Sequence, residues 1–257
     1  MAELLANKVA VVTGAASGNG RAIALAFARH GAKAVIVADV QAEPREGGQP
    51  THELITAETQ TRATFVKCNV TTIADLEAAV EAAEAFGGID VMVNNAGVFR
   101  QQDFLSVTEA EYAFIMDINV KGAYFGAQVA AKRMVPKGSG CIINLSSVAG
   151  LQGTGGFVTY CTSKGAVRLM TYALADELGP RGIRVNAIHP GLIETTMTTR
   201  DVPIIGSAMG ATFEQATPLR RFGVPEDVAG VAVYLASDLA GYVNGASLVV
   251  DGGLLRA

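Results

Sequence analysis

Short apolar runs rich in β-branched residues alternate along the chain with longer stretches in which apolar positions recur at helical spacing. Residues 9–13, 34–39, 65–68, 89–94, 141–145, 184–188 and 247–250 read as strands. Residues 21–30, 74–86, 109–134, 160–178 and 226–235 read as helices. The strand segments are apolar on both faces, as expected where helices cover each side of a parallel sheet. Strands and helices that alternate through right-handed crossovers predict an α/β fold with a doubly wound parallel sheet. The alternation runs from Val9 to Asp251 without a linker, so residues 1–257 are read as a single domain. Two segments break the pattern. Residues 43–50 are polar and rich in Gly and Pro, which predicts a loop after the second strand. Residues 193–221 form a longer, partly apolar stretch of weak periodicity after the sixth strand. Ligands of open α/β sheets bind beyond the carboxyl ends of the strands, so this insertion is expected to form a lid over the substrate.

Composition narrows the function classes. With 20 Lys+Arg against 24 Asp+Glu the chain carries a net charge of −4, which argues against nucleic acid or an anionic membrane as partner. Half of the residues are hydrophobic and 17% are charged, enough apolar material for a large core. The longest apolar runs fall short of the roughly 18–20 residues that span a bilayer, and residues 1–12 show no charged-then-apolar leader. Cys68, Cys141 and Cys161 are odd in number and scattered. They suit thiols that pack in a reducing, cytoplasmic setting. No His, Asp or Glu cluster has metal-ligand spacing, so no metal is expected.

The chemistry gathers at the predicted strand ends. Gly14, Gly18 and Gly20 punctuate the turn from the first strand into the first helix. Glycines let the backbone approach a pyrophosphate, and the helix N-terminus offers it free N–H groups. Asp39 closes the next strand 25 residues after Gly14. Its carboxylate would accept hydrogen bonds from the adenosine ribose hydroxyls of NAD and repel the extra phosphate of NADP. Arg45, in the loop that follows, is the one cation within reach of a 2′-phosphate. Tyr160 and Lys164 are four residues apart on a predicted helix and share a face. A tyrosine with a pKa near 10 is a poor base, and a neighbouring ammonium lowers that pKa. Ser146 and Ser147 end the fifth strand and Asn94–Gly97 the fourth, while Asn119 lies inside a helix. An internal Asn makes sense where its amide holds a water or a main-chain carbonyl near an active site.

Together, Thr13-Gly14-x-x-x-Gly18-x-Gly20, Asp39, Asn94-Asn95-Ala96-Gly97, Asn119, Ser147, Tyr160-x-x-x-Lys164 and Pro190-Gly191 resemble the short-chain dehydrogenase/reductase superfamily over nearly the whole chain. The resemblance implies a Rossmann-like domain with a seven-stranded parallel sheet and hydride transfer to or from nicotinamide. It implies that Tyr160 is the acid/base, that Lys164 lowers its pKa and binds the nicotinamide ribose, and that Ser147 holds the substrate oxygen. Asn119 would hold a water that links Lys164 to solvent. Gly14, Ser17, Asn19, Gly20, Asp39 and Val40 would meet the pyrophosphate and adenosine ribose. Asn69 and Val70 would flank the adenine, with Asn95, Ala96 and Gly97 lining the adenosine side. Pro190, Gly191, Ile193 and Thr195 would hold the nicotinamide end. Two positions depart from the family pattern: Asn19 replaces an apolar residue, and Asn69 replaces an Asp, its carbonyl still able to accept from the adenine amino group.

The expected activity is therefore an NAD-dependent secondary alcohol dehydrogenase or ketoreductase, with NAD rather than NADP. Reduction of a 3-oxoacyl thioester, oxidation of a sugar or polyol, and NAD(H) sensing without turnover are the alternatives. Val98, Phe99, Gln152, Gly153, Thr154, Phe157, Met197, Met209 and Phe213 are candidate pocket residues, and of these Gln152, Phe157 and Met197 join Ser147 and Tyr160 as expected substrate contacts. Their mixture suits a small or medium, partly hydrophobic alcohol or ketone. His189 is read as structural or pocket-lining, and His30 and His52 as solvent-facing. Apolar residues all round helix 160–178 suggest burial on two sides, and the family commonly forms tetramers there, so a homotetramer is expected.

Overall fold

The computed structural model describes residues 3–255, so the ends of the 1–257 span lie outside the described residues. All seven strands form one parallel sheet in the order β3-β2-β1-β4-β5-β6-β7. They are β1 (Val9–Thr13), β2 (Ala34–Asp39), β3 (Arg62–Lys67), β4 (Val91–Asn94), β5 (Gly140–Leu145), β6 (Ile183–Pro190) and β7 (Ser247–Val250). The chain winds outward from β1 to β3, then returns to place β4 against the other side of β1. That reversal opens a crevice at the carboxyl ends of β1 and β4, where ligands of such sheets bind.

Strand residues feed two cores alternately. Ala10 and Val12 join the layer of α1 (Gly18–Arg29) and α8 (Pro225–Ala236), with Ile23, Phe27, Val228 and Leu235. Val9 and Val11 join the opposite layer with Leu76 and Val80 of α3 (Ile73–Glu81) and Met134 of α5 (Gly122–Met134). This two-sided demand is why the strands read as continuous apolar runs. A third, small cluster of Phe157, Val202 and Ile204 sits away from the sheet, with Phe99, Tyr160 and Phe213 packed on it.

Three departures from the sequence reading have local causes. The stretch 109–134 is not one helix: α4 (Glu109–Met116) and α5 are joined by a π turn at Asp117–Lys121 that contains Asn119. A helix-period pattern survives the one extra residue of such a turn, which hides it from sequence. Helix α2 (Thr51–Glu58) was read as part of no element; it buries only Thr51 and Ile55, so its apolar signal is faint. The insertion 193–221 holds a π turn at Met197–Asp201 and helix α7 (Ala208–Ala216), which Ser207 caps by accepting from the Gly210 N–H. Helix α6 (Val158–Leu178) starts two residues earlier than read. His30 and His52 are half-buried instead of solvent-facing, and the His52 ring packs 5.9 Å from that of Phe65.

Candidate active site

The crevice is a cavity of about 730 Å³ that runs from Asp39 at one end to Tyr160 and Phe213 at the other. Its narrow part is built on glycines. Gly14 and Gly18 have positive φ values of 65° and 53°, a region where side chains with Cβ are strained. A Cβ on Gly20 would lie 2.1 Å from the Gly14 carbonyl oxygen and 2.5 Å from Asn95 Nδ2. Gly20 therefore does not line the cavity; it lets α1 pack against the turn from behind. The Asn95 amide donates to the carbonyls of Thr13 and Gly14 at 2.8 and 3.2 Å. Thr13 Oγ1 in turn accepts from the N–H groups of Asn95 and Ala96. These bonds tie the end of β1 to the end of β4 and hold the turn open. A cradle of this kind, at a helix N-terminus and too tight for side chains, fits a dinucleotide.

Asp39 accepts from the Ala16 N–H at 2.9 Å and from the Val40 N–H at 2.7 Å. Burial pushes its carboxyl above the usual range, an effect opposed by those N–H groups and by Arg45. Arg45 is not free. Its guanidinium grips Asp201 with both terminal nitrogens, at 2.8 and 2.6 Å. The ion pair holds the Asp201 carboxyl below its ordinary value and joins the loop after β2 to the insertion. The Arg45 N–H also donates to Ser17 Oγ, and Glu46 accepts from the Gly18 N–H.

Asn69 corrects one expectation. Its carbonyl oxygen already accepts from the Thr71 N–H at 3.1 Å and from Thr71 Oγ1 at 2.9 Å. Both lone pairs are used, so only the amide nitrogen can face an adenine. Asn19 lines the cavity with an amide oxygen that is buried and meets no donor.

At the other end the two serines separate. Ser146 Oγ donates to the Lys164 carbonyl at 2.8 Å, whereas Ser147 Oγ accepts from the Ala149 N–H at 3.2 Å, lies 3.5 Å from the Pro190 carbonyl and shares the cavity wall with Tyr160. Phe99 meets Tyr160 edge-on, with centroids 4.6 Å apart, and stacks on Phe157 at 4.9 Å. This dry setting pushes the Tyr160 phenol up to about 12 and the Lys164 ammonium down to about 8. Lys164 Nζ lies 5.7 Å from the Tyr160 ring centre and donates to the Leu145 carbonyl at 2.8 Å. Burial is what raises the Tyr160 phenol here, while the Lys164 ammonium is turned toward the Leu145 carbonyl.

Asn119 is buried behind the wall. Its amide accepts from the Val98 N–H and donates to the Val98 carbonyl and Ser163 Oγ at 2.8, 2.9 and 3.0 Å. Both amide hydrogens are engaged, so the side chain holds the main chain after Gly97, the main-chain-carbonyl role expected of an internal Asn. Ser17, Val40, Val70, Ala96, Gly97, Pro190, Gly191, Ile193, Thr195, Gln152 and Met197 all line the cavity. Among the candidate pocket residues Val98, Phe99, Thr154, Phe157 and Phe213 do so too, while Gly153 and Met209 lie outside. Sequence reading missed Ile204, Leu254 and Leu255 on the wall. Nothing in their spacing marks them, because the insertion and the residues after β7 reach the site only through the tertiary fold. Among the described residues no group of His, Cys, Asp or Glu is arranged to hold a metal ion.

Residues 14–255 match a family model described as enoyl-(acyl carrier protein) reductase. The chain is 41% identical over 258 residues to L-2,3-butanediol dehydrogenase of Corynebacterium glutamicum, covering 97% of this chain and 99% of that protein. It is 42% identical over 253 residues to the L-rhamnose 1-dehydrogenase (NAD(P)(+)) of Azotobacter vinelandii, covering 98% of each. A crystal structure of a short-chain type dehydrogenase/reductase from Mycobacterium marinum superposes with a TM-score of 0.90 at 35% identity, over 99% of this chain and 98% of that one. A glycine cradle at the sheet reversal, Ser147 and Tyr160 on one cavity wall and these matches converge: the chain belongs to the short-chain dehydrogenase/reductase superfamily and is an oxidoreductase of CH–OH groups.

Proposed function

We propose that the protein interconverts a secondary alcohol and a ketone with NAD(H), and that Tyr160 is the acid and base. The observation that supports this most is the placing of Ser147, Tyr160 and Lys164 together at the apolar end of a cavity whose other end is closed by Asp39. Gly14, Ser17 and Asn19 would hold the pyrophosphate, Asp39 the adenosine ribose, and Pro190, Gly191, Ile193 and Thr195 the nicotinamide end. The bound dinucleotide supplies or accepts the hydride. The chain supplies the proton. In reduction, the Tyr160 hydroxyl gives its proton to the substrate oxygen as negative charge develops there, and Ser147 donates a second hydrogen bond to that oxygen. In oxidation the proton returns. Phe99 and Phe157 keep water away, which strengthens both interactions. The Lys164 charge favours the phenolate through space once proton transfer begins.

Residues 1–257 are read as one catalytic domain, with 193–221 as its lid. Ile193, Met197, Ile204 and Phe213 of that segment line the cavity, and the Asp201–Arg45 pair ties it down. The apolar wall favours a small or medium, partly hydrophobic alcohol. Gln152 and Thr154 on the same wall, with the rhamnose dehydrogenase likeness, favour a polyol or sugar as the second reading. Exposed Phe114 and Tyr124 on the α4–α5 stretch and Leu169 on α6 support a homotetramer built on these helices. Burial pushes the thiols of Cys68 and Cys141 up to about 12 and 11, which suits unreactive thiols in a cytoplasmic protein.

Four outcomes test this reading. A screen of secondary alcohols, cyclic alcohols, hydroxysteroids and aldoses at alkaline pH should show NAD reduction; Tyr160→Phe should abolish it while NADH fluorescence titration still shows binding. Turnover by the variant would remove the proposed acid/base. Lys164→Met should raise the melting temperature at pH 7 while activity collapses. The unfolded lysine titrates near 10.5 and the folded one near 8, so the unfolded state binds the extra proton between those values. The cost of the buried charge is complete below pH 8 and fades as pH rises toward 10.5, and at 1.36 kcal/mol per unit it is roughly 3 kcal/mol. A lower melting temperature at pH 7 would contradict this.

Asp39→Ala should narrow the preference for NADH over NADPH in dissociation constants. Adding Asp201→Asn, which frees Arg45, should narrow it by a further factor on the order of five, the worth of a well-formed exposed ion pair. Equal affinities in the wild type would refute NAD preference. Light scattering at micromolar concentration should give a tetramer, and a monomer would remove the proposed assembly.

A further inference from the structure

His189 is fully buried near the end of β6, and the reaction proposed above does not use it. Its ring joins a chain of hydrogen bonds. Nδ1 lies 2.9 Å from the main-chain oxygen of Ser147, and Nε2 lies 2.9 Å from Ser247 Oγ. Ser247 Oγ lies 2.7 Å from the Tyr172 hydroxyl, which accepts from Arg168 Nε at 2.8 Å.

The direction of every bond follows from the chemistry of its ends. A carbonyl can only accept, so Nδ1 carries the proton. Burial and the nearby Arg168 and Lys164 charges press the ring toward its neutral form, so Nε2 is an acceptor. The Ser247 hydroxyl must then donate to Nε2, and the Tyr172 hydroxyl must donate to Ser247. Tyr172 keeps its lone pair for Arg168, whose guanidinium only donates. With a neutral ring the chain runs one way, from the guanidinium to the Ser147 carbonyl.

Its end point lies where the sheet stops helping. The last pair of the β5–β6 ladder is Leu145 with Ile188, and the Ser146 N–H still donates to the Ile188 carbonyl. The Ser147 carbonyl lies beyond that register. A side chain from β6 takes over there. Tyr160, Lys164, Arg168 and Tyr172 are spaced four apart on α6, so they form one stripe of that helix. Ser147 is tied to that stripe through its carbonyl, which reaches Tyr172 and Arg168 by way of His189 and Ser247, while its hydroxyl shares the cavity with Tyr160.

We propose that His189 is a positioning residue for the reaction: it fixes the peptide of Ser147, and so the aim of the Ser147 hydroxyl, while Ser247, Tyr172 and Arg168 fix which ring nitrogen carries the proton. This rests on the role given to Ser147 above. Asparagine can present a donor close to Nδ1, whereas leucine fills space without one. Turnover would be measured per NADH-binding site, so that loss of folded protein does not count. His189→Leu should lower kcat about tenfold, as expected for a reacting group that drifts by a fraction of an ångström, with the NADH dissociation constant unchanged. His189→Asn should recover most of that loss. Ser247→Ala, which removes the donor to Nε2, should lower kcat by a smaller factor.

Wild-type kcat in His189→Leu, or a folded His189→Asn no better than His189→Leu, would overturn the proposal. Should His189→Leu fail to fold, wild-type kcat in Ser247→Ala would overturn it. A wild type that binds NADH but turns over nothing on the alcohol panel would instead overturn the dehydrogenase reading itself.

Discussion

A lysine ammonium buried between β5 and α6 is costly to the fold, and much of the site can be understood as what surrounds it. Lys164 Nζ has a main-chain carbonyl, Leu145, as its hydrogen-bond partner, and no carboxylate is paired with it. Burial without a counter-charge drives such a group toward neutrality. The same apolar walls drive the phenol of Tyr160 the other way, also toward neutrality. Left to themselves the two groups would be a neutral acid and a weakened base. Negative charge appearing on the substrate oxygen or on the phenolate reverses that preference, because a dry site magnifies every charge that enters it. The fold thus carries a standing cost that chemistry at Tyr160 relieves.

The geometry that makes this useful comes from the reversal of strand order at β1 and β4. Nothing covers the carboxyl ends of these strands except loops, and here the loops are joined across the cavity. Arg45 belongs to the segment after β2 and Asp201 to the insertion after β6, yet they form a two-pronged ion pair. The same pair engages Arg45, a cation on the cavity wall, so that in the reading proposed above the tie between the two loops and the choice of dinucleotide share one interaction.

Much of this was legible in the sequence, for a physical reason. The glycines, Asp39, Ser147, Tyr160 and Lys164 all lie at strand ends or on regular helix positions, where spacing translates directly into direction. The failures lie where a side chain's role depends on which neighbour, near or far in the chain, claims its polar atoms. Asn69 looked able to accept from an adenine, but Thr71 two residues on takes both lone pairs. Asn119, expected to hold a water or a main-chain carbonyl, takes the carbonyl of Val98 and also Ser163, 21 and 44 residues away, a choice of partner that spacing does not show. Gly20 belonged to the turn motif, yet its missing side chain serves helix packing. His189, read as structural or pocket-lining, is structural, and only its partners were hidden: Ser247 lies 58 residues downstream and Tyr172 17 upstream. Helix α2 and the insertion's α7 bury too few apolar residues to announce themselves.

Helix α6 draws these threads together. Its four-residue stripe carries the proposed acid, the ammonium behind it and the anchor of a proton-ordered chain that returns to Ser147. A rigid helix holds groups to tighter tolerances than loops can, so the reacting constellation is separated from the segments that choose the substrate. Gln152 and Thr154 lie on the connection before α6, and Met197, Ile204 and Phe213 on the insertion. The chain is about equally similar to a butanediol dehydrogenase and a rhamnose dehydrogenase; in the reading proposed above, the choice between such substrates falls to these loops, which the hydrogen-bonded frame of α6 does not constrain.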